Sequence, residues 1–286
     1  MELFKMQVAG NDYLFVDLRI QKDTDRDWRL LAGELSDRHF GLGADGLVLL
    51  RPSEHATCKM EFYNADGSTG KMCGTALACI GRYLKERMQE AEEEWTPNTK
   101  KPDAVQRGYR IETAGGLRSV EIFPEEDWKA RIWMGNPTVW ERPCVVYVGR
   151  RIPAYRVQVG NPHLVLFASG LGDAELNRFG PGLSCHPVFP DGCNVEFVRL
   201  LGRSRMQVLV WERGSGRTLA CGTGATAAFA AARALKLVPP DMNVEMPGGM
   251  LQASERDGVF WLESHPKEIF FGKLEIGACN SKNPVL

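Results

Sequence analysis

The sequence predicts an α+β fold made of two pseudo-equivalent barrel-like halves, each a mostly antiparallel sheet wrapped round a central helix. Two observations carry this prediction. Pieces of the sequence recur at a nearly constant separation, and each half contains many short strand-like segments but one long helical run. Like halves that face each other leave a cleft, where ligand sites commonly form. We therefore expect the active site in the cleft between the halves.

The internal repeat is clearest around two cysteines. Cys73 and Cys221 each begin a Cys-Gly-Thr sequence, and they are 221 − 73 = 148 residues apart. Gly10-Asn11 and Gly160-Asn161 recur at the similar offset 160 − 10 = 150, and an apolar segment follows each pair. The matching order of these pieces predicts two halves with the same fold.

The first half carries extra residues, because Gly115-Gly116 and Gly248-Gly249 recur at the shorter offset 248 − 115 = 133. We place the excess in segment 89–108, which is charged and contains two prolines, and predict a surface excursion there. The predicted domain boundaries assign residues 1–131 plus 270–286 to the first domain and residues 132–269 to the second.

Most remaining elements are predicted to be strands, because apolar and β-branched residues recur in short runs bounded by turn residues. In the first half these are 1–10, 44–52, 59–64, 109–115, 119–123 and 130–135. In the second half they are 155–160, 163–168, 194–200, 206–214, 250–255 and 260–264. A helical run rich in Ala and Leu begins at each repeated cysteine, over 73–94 and 221–237. Both cysteines are therefore expected at helix N-termini.

The charge balance argues against two classes of partner. With 35 Lys and Arg against 36 Asp and Glu, the net charge is −1, so there is no basic excess for nucleic acid or anionic lipid. No apolar run approaches the roughly 18 residues of a membrane span, and no export signal is recognisable at the N-terminus. We expect a cytoplasmic protein that binds neither nucleic acid nor membrane, and a homodimer remains open.

The sequence contains eight cysteines, which a reducing cytosol keeps as thiols. Their spacing matches no common zinc motif, so no metal is expected. Six of them are expected to be ordinary buried core residues, since free cysteine is among the most buried residue types. These are Cys58, Cys79, Cys144, Cys185, Cys193 and Cys279.

The two repeated cysteines favour a specific chemistry. A helix N-terminus is expected to lower the pKa of a thiol, and its N–H groups bind a carboxylate, such as that of an α-amino acid. Held between two such helix ends, the substrate would offer its Cα proton to one thiolate and its opposite face to the other thiol. Cys73 and Cys221 thus predict inversion of a small amino acid without a cofactor.

Three further residues have more than one interpretation. His163 and Glu212 could each orient the substrate ammonium or poise a thiol. Arg213 could form a surface ion pair of little energetic value, or a planar fork for a substrate carboxylate. The sequence alone leaves both questions open.

Taken together, these motifs resemble the diaminopimelate epimerase family, nearly from end to end. In the first half the resemblance covers 10–13 (GNDY), 37–46 (DRHFGLGADG), 64–68 (NADGS), 72–74 (MCG) and 113–116 (TAGG). In the second half it covers 160–163 (GNPH), 194–197 (NVEF), 212–216 (ERGSG), 220–225 (ACGTGA) and 247–249 (PGG). The resemblance implies a cofactor-independent isomerase that converts LL-2,6-diaminopimelate to the meso form, for lysine and cell-wall synthesis.

The resemblance also implies roles for particular residues. Cys73 and Cys221 would be the acid and base, with His163 and Glu212 poising them. Backbone amides would hold the reacting carboxylate, namely those of Gly74, Thr75, Gly222 and Thr223. The distal end of the substrate, which does not react, would be recognised by Asn11, Asn64, Asn161, Asn194 and Arg213.

Some positions depart from the family pattern. The family usually has Gly-Asn-Gly-Ala-Arg-Cys after the first cysteine, where this chain has Thr75 and Ala78, and Arg217 is unusual. These departures leave two alternatives open. One is a racemase of another amino acid on the same fold, and the other is a non-catalytic binding protein, although both thiols are retained.

Overall fold

A computed structural model of the protein describes residues 1–21, 26–70, 72–88, 93–95, 106–140 and 143–275. Strands and helices alternate in the same order in both halves. The first half contains β1 Glu2–Val8, β2 Asn11–Asp17, α1 Trp28–Ser36, β3 Gly46–Arg51, β4 Cys58–Asn64, α2 Gly74–Tyr83, β5 Glu93–Trp95, β6 Gln106–Thr113, β7 Gly116–Phe123 and β8 Lys129–Gly135. A π-helical turn, Leu84–Met88, extends α2, and a 3₁₀ turn, Pro124–Glu126, precedes β8.

The second half repeats this order. It contains β9 Thr138–Val139, β10 Cys144–Tyr147, β11 Arg151–Val159, β12 Asn161–Phe167, α3 Asp173–Ser184, β13 Asn194–Leu200, β14 Arg205–Glu212, β15 Gly216–Thr218, α4 Gly222–Ala234, β16 Asp241–Met246, β17 Gly249–Arg256, β18 Val259–Ser264 and β19 Lys267–Lys273. No helix among the described residues is long and apolar enough to cross a membrane.

The strand pairing confirms the internal repeat. β1 pairs antiparallel with β2, β2 parallel with β3, β3 antiparallel with β4, and β4 parallel with β6, which continues antiparallel into β7 and β8. The strands β11, β12, β13, β14, β16, β17 and β18 pair in the same sequence of senses. The predicted fold class is confirmed.

Each sheet wraps a buried helix, as the sequence predicts. α2 lies against β1, β7 and β8, and α4 lies against the strands from β11 to β18. Every residue of α4 from Gly222 to Ala232 is buried. The small side chains of this Ala-rich helix let the surrounding sheet approach closely. The helix ends are thereby held by packing on all sides.

The two halves are joined and exchange strands. β8 pairs antiparallel with β18, which makes the sheet continuous. β19, which follows the second half in the chain, pairs along the whole of β1, from Glu2 opposite Lys273 to Gln7 opposite Lys267. In return β9, which follows β8, pairs with β11. Both predicted domain boundaries, at 131/132 and 269/270, fall inside strands, and the boundaries remain a prediction.

Two helices were not predicted, and one predicted helix is too long. α1 and α3 lie outside the sheet, between strands that pair in parallel. α1 has nine residues and α3 contains Pro181, so neither gives a long helical pattern. The helix predicted over 73–94 was wrong at its end, because 93–95 form β5 and pair with the start of β6. Residues 89–92 and 96–105 of the predicted excursion lie outside the described residues.

Candidate active site

A cavity lies between the two halves where α2 and α4 begin. Strands β2, β4, β12, β13 and β14 supply its walls together with the first residues of both helices. The residues that line the cavity are Asn11, Tyr13, Phe62, Asn64, Gly70, Met72, Cys73, Gly74, Asn161, Pro162, Asn194, Glu212, Arg213, Cys221, Gly222 and Thr223. The repeat thus brings both cysteines to one cavity from opposite halves.

Cys73 is the N-cap of α2, as predicted. Its Sγ accepts a hydrogen bond from the Ala76 N–H at 3.5 Å, because an N-cap side chain faces the N–H groups of the first turn. Two hydroxyl groups also contact the sulfur, Thr75 Oγ1 at 3.1 Å and Tyr13 Oη at 3.3 Å. Burial raises the pKa of the Cys73 thiol, while these three hydrogen bonds act in the opposite direction.

Cys221 occupies the same position on α4. Its Sγ accepts from the Gly224 N–H at 3.4 Å and lies 3.3 Å from Thr223 Oγ1. Asn194 Nδ2 approaches the sulfur at 3.8 Å. Burial, followed by the negative charge of Glu212, raises the pKa of the Cys221 thiol well above its ordinary value. The two thiols therefore have similar backbone surroundings but different side-chain partners.

The expectation that the helix ends lower both thiol pKa values was wrong. Cys221 is buried and Cys73 is partly buried, and loss of water disfavours a thiolate more than the helix N-termini favour it. This result has a chemical consequence. A thiolate with a raised pKa is a stronger base, which suits removal of a weakly acidic proton.

Glu212 is the last residue of β14 and faces the same cavity. Its Oε1 accepts a hydrogen bond from Thr218 Oγ1 at 2.6 Å, and its carboxyl group also bonds to Cys221. Burial raises the pKa of Glu212 to about 7, against the lowering effect of these two bonds. The carboxyl group beside Cys221 therefore changes its protonation state near neutral pH.

His163 is fully buried but does not line the cavity. Its Nδ1 lies 2.6 Å from Glu196 Oε1, and its Nε2 lies 3.1 Å from Asn161 Oδ1. The other oxygen of Glu196 has no hydrogen-bond partner among the described atoms. His163 is thus connected to the cavity through Asn161, and the predicted contact with a thiol stays a prediction.

The asparagines expected at the distal end of the substrate differ in how much of their amide is free. Asn11 is engaged within the protein, since its Nδ2 donates to Asp45 Oδ2 at 2.9 Å and its Oδ1 accepts from Thr75 Oγ1. The amide nitrogen of Asn64 donates to Ser68 Oγ at 2.8 Å, and Asn64 lines the cavity. Thr75, one of the departures from the family pattern, thereby holds Asn11 and contacts Cys73.

Arg213 lies at the cavity wall, held at both ends. Its backbone N–H donates to Asn194 Oδ1 at 3.0 Å, and its Nη1 donates to the Asp191 carbonyl at 2.7 Å. Arg217 instead points away from the cavity and pairs with Asp173 at 2.6 Å on the surface. Of these two arginines, only Arg213 is placed to meet a ligand.

The structure brings the predicted site residues together, except that the side chains of His163 and Thr75 lie behind the cavity wall. Sequence reasoning missed five lining residues, which are Tyr13, Phe62, Gly70, Met72 and Pro162. One signal was available for Tyr13. It stands at the repeat position of His163, because 163 − 13 = 150.

The other cysteines follow the expectation in part. Cys58, Cys79 and Cys193 are buried and Cys144 is partly buried. Cys185 is exposed, so its expected burial was wrong; as the C-cap of α3 it stands where the helix ends at the surface. Cys279 lies outside the described residues. Among the described residues, no group of three His, Cys, Asp or Glu side chains is placed to hold a metal ion.

Solved structures show the same fold. A hydroxyproline epimerase from Agrobacterium vitis, crystallised with trans-4-hydroxy-L-proline, superposes with a TM-score of 0.72 at 17% identity and covers 95% of this chain and 91% of its own. A probable proline racemase from Agrobacterium radiobacter K84 gives a TM-score of 0.70 at 16% identity, over 98% of this chain and 94% of its own. These two superpositions show that this chain shares the fold of a racemase and an epimerase.

Sequence comparison then identifies the family. The diaminopimelate epimerase family model matches residues 3–140 and 155–259. The chain is 38% identical to the diaminopimelate epimerase of Carboxydothermus hydrogenoformans over 95% of this chain and 98% of the relative. It is 32% identical to the enzyme of the same name from Methanococcus maripaludis C6 over 96% of this chain and 100% of the relative. This chain belongs to the diaminopimelate epimerase family.

Proposed function

We propose that this protein converts LL-2,6-diaminopimelate to the meso form by proton transfer between Cys73 and Cys221, as a step toward lysine and cell-wall precursors. One observation carries the proposal: the two thiols cap repeat-equivalent helices and reach one cavity from opposite halves. Family membership supports the choice of substrate.

The reaction is a balanced pair of proton transfers. The thiolate of one cysteine takes the Cα proton, the electron pair of the C–H bond stays on the substrate, and the carboxylate shares the negative charge. The thiol of the other cysteine then gives its proton to the opposite face of Cα. One thiol and one thiolate remain, with their positions exchanged, so a proton must return from one cysteine to the other before the next turnover in the same direction.

The helix ends supply the electrostatic stabilisation. The first N–H groups of a helix have no acceptor inside the helix and carry partial positive charge, so they favour a carboxylate that gains charge during the reaction. In this proposal the amides of Gly74, Thr75, Gly222 and Thr223 hold that carboxylate. The closeness of the two helix starts supports a single carboxylate between them.

Glu212 and His163 take supporting roles in this scheme. Glu212 receives the proton of Cys221 and returns it, a role supported by their hydrogen bond and by the pKa of about 7. The contacts of His163 support a role in holding Asn161, whose amide faces the substrate. The distal amino-acid end is assigned to Asn11, Asn64, Asn161, Asn194 and Arg213, and the Asn11 amide also holds Thr75 beside Cys73.

The proposal is tested by isotope exchange. Reduced protein is offered LL-diaminopimelate and a panel of single-centre amino acids, including proline and hydroxyproline, in deuterated water, and NMR follows exchange at the α-proton. We expect exchange and inversion with diaminopimelate alone. Turnover of a single-centre amino acid with none of diaminopimelate would favour the racemase alternative, and no turnover at all would favour the binding protein.

The cytoplasmic location and the homodimer stay predictions. Cell fractionation tests the first, and light scattering on the purified protein tests the second. Neither outcome changes the assignment of the cavity residues, because the cavity is built from one chain.

A further inference from the structure

We propose that the hydroxyl group of Tyr13 donates a hydrogen bond to the Cys73 thiolate and poises that thiol for proton transfer. The inference deepens the proposed function and rests on it. Tyr13 Oη lies 3.3 Å from Cys73 Sγ, and the side chain lines the cavity while being only 3% exposed. Neither the family resemblance nor the motif analysis assigned a role to this residue.

Packing fixes the direction of the hydroxyl. The Tyr13 ring meets the Phe62 ring edge to face, with centroids 5.4 Å apart, and meets Phe15 in the same manner at 6.5 Å. Its backbone is held in β2 between two neighbouring strands. A donor held in this way needs no rearrangement when charge forms on the sulfur, which is the condition for effective electrostatic support.

The internal repeat explains why this contact occurs in one half only. Tyr13 and His163 are repeat equivalents, and in the parallel strand pairs they stand opposite Gly46 and Asn194. Two residues further along the partner strand, on the same face, the first half has Val48 and the second half has Glu196.

The difference between Val48 and Glu196 gives Tyr13 and His163 different hydrogen-bond partners. Glu196 binds the His163 ring, at 2.6 Å from Nδ1. Val48 offers no polar atom, and Tyr13 Oη instead accepts a hydrogen bond from the Cys73 thiol at 3.3 Å. Once that thiol has lost its proton, the phenol is the group left to donate across the same contact. A threonine hydroxyl contacts each sulfur, that of Thr75 at Cys73 and that of Thr223 at Cys221. The difference between the halves is that Cys73 also contacts the hydroxyl of Tyr13, whereas Cys221 contacts the carboxyl group of Glu212.

The chemistry of a phenol suits this position. Burial, with the nearby Cys73 and Glu212 charges, raises the pKa of Tyr13 well above 10, so the phenol keeps its proton and acts as a donor. A donor to the charged form favours that form, so Tyr13 opposes the effect of burial on Cys73. During the reaction the phenol proton stays on oxygen; only the Cα proton moves to the sulfur.

The chain offers a matched pair of variants. Tyr13→Phe removes one oxygen from the cavity wall. Tyr83→Phe removes one oxygen from another buried tyrosine, whose hydroxyl donates to Asp17 Oδ2 at 3.1 Å and which does not line the cavity. Both variants lose a buried hydrogen bond, but only the first loses a contact with Cys73.

The primary readout needs no substrate. The rate of alkylation at Cys73 and at Cys221 is measured against pH by peptide mass mapping, which gives the midpoint for ionisation of each thiol. We expect Tyr13→Phe to raise the Cys73 midpoint by about one pH unit, since a hydrogen bond to a charged group is worth roughly a tenfold change. The Cys221 midpoint should stay at its wild-type value, and Tyr83→Phe should change neither the Cys73 nor the Cys221 midpoint.

Activity gives the second readout. Tyr13→Phe should lower kcat/KM for α-proton exchange about tenfold with little change in KM, because the support acts on the thiolate and not on binding. A Cys73 midpoint and a kcat/KM that both stay at wild-type values would overturn the proposal. Because the alkylation readout is independent of substrate, failure of the diaminopimelate assay in the wild type would count against the proposed function alone.

A second substitution guards against a folding defect in Tyr13→Phe. A fluorinated tyrosine at position 13 keeps the shape and has a more acidic hydroxyl, hence a stronger donor, so the Cys73 midpoint should fall. A midpoint that moves the same way in both variants would also overturn the proposal. Thermal unfolding of each variant checks that the fold is retained.

Discussion

Gly74 and Gly222 lie face to face where the two central helices begin. A Cβ added to Gly222 would stand 3.2 Å from the Gly74 Cα, and one added to Gly74 would stand 3.5 Å from the Gly222 Cα. The absence of side chains at these two positions lets both helix N-termini approach the same carboxylate. The distance between the helices is therefore part of the site.

Gly222→Ala should reduce activity more than Gly74→Ala. The added methyl at 222 meets Gly74 and Thr75 backbone atoms at 3.2 and 3.3 Å, which separates the helix ends by a few tenths of an ångström. The methyl at 74 meets the flexible end of Met134 at 3.2 Å. We expect a roughly tenfold loss of kcat/KM for Gly222→Ala, since small misplacements are costly in catalysis. Equal rates for the two variants would contradict this account.

Replacing either cavity thiol should separate exchange from inversion. In Cys221→Ala the remaining Cys73 can take a proton and return a deuteron on the same face only, and Cys73→Ala leaves the opposite face. Each variant should therefore exchange the α-proton of substrate in one configuration and invert neither configuration. NMR in deuterated water would report both results. Exposed Cys185 provides the control variant, Cys185→Ala, which should behave as wild type. Inversion at near wild-type rate by either cavity variant would rule out the two-thiol scheme.

Glu212 should set the acid limb of the pH profile. Its pKa is raised to about 7, so the carboxyl group is protonated below that pH and cannot receive the Cys221 proton. We expect kcat/KM to fall as the pH drops through 7. In Glu212→Gln that limb should vanish, the rate should be low throughout, and the pKa of Cys221 should fall because a negative charge that raised it is gone. Glu112→Gln, on β6 outside the cavity, is the control, and an unchanged limb near pH 7 in Glu212→Gln would refute the role.

Arg213→Lys tests recognition of the distal carboxylate. Lysine keeps the charge but loses the planar fork, so kcat/KM for diaminopimelate should drop by the equivalent of about 2 kcal/mol. Arg217→Lys is the matched control, since Arg217 lies on β15 outside the cavity and forms a surface ion pair with Asp173. We would compare both variants on diaminopimelate and on a substrate without the distal group. If the two variants perform alike, Arg213 has no part in substrate choice.

The repeat made much of the site predictable. Offsets of 148 and 150 residues place Cys73 opposite Cys221 and Asn11 opposite Asn161, and like sequences fold into like positions. The same offset, applied two residues further along the chain, pairs Tyr13 with His163 and could have singled out Tyr13. The offset does not predict the surroundings of Tyr13 and His163. Those surroundings differ because strand pairing brings Val48 to the first and Glu196 to the second.

The thiol pKa values show a second limit. The N-cap position of Cys221 is readable from sequence, but its burial is set by side chains from distant strands. Desolvation by those strands decides the direction of the shift. α3 was missed for a related reason, since Gly180 and Pro181 weaken the helical pattern and packing against β13 and β14 stabilises the helix.

The exchanged strands have a consequence for how the protein matures. β1 acquires its outer neighbour only when β19 arrives, so the sheet around α2 needs residues 267–273 from the far end of the described chain. Contacts between such distant residues form late in folding. On the ribosome, the sheet around α2 would therefore remain incomplete until residues 267–273 had been synthesised, after the whole of the second half.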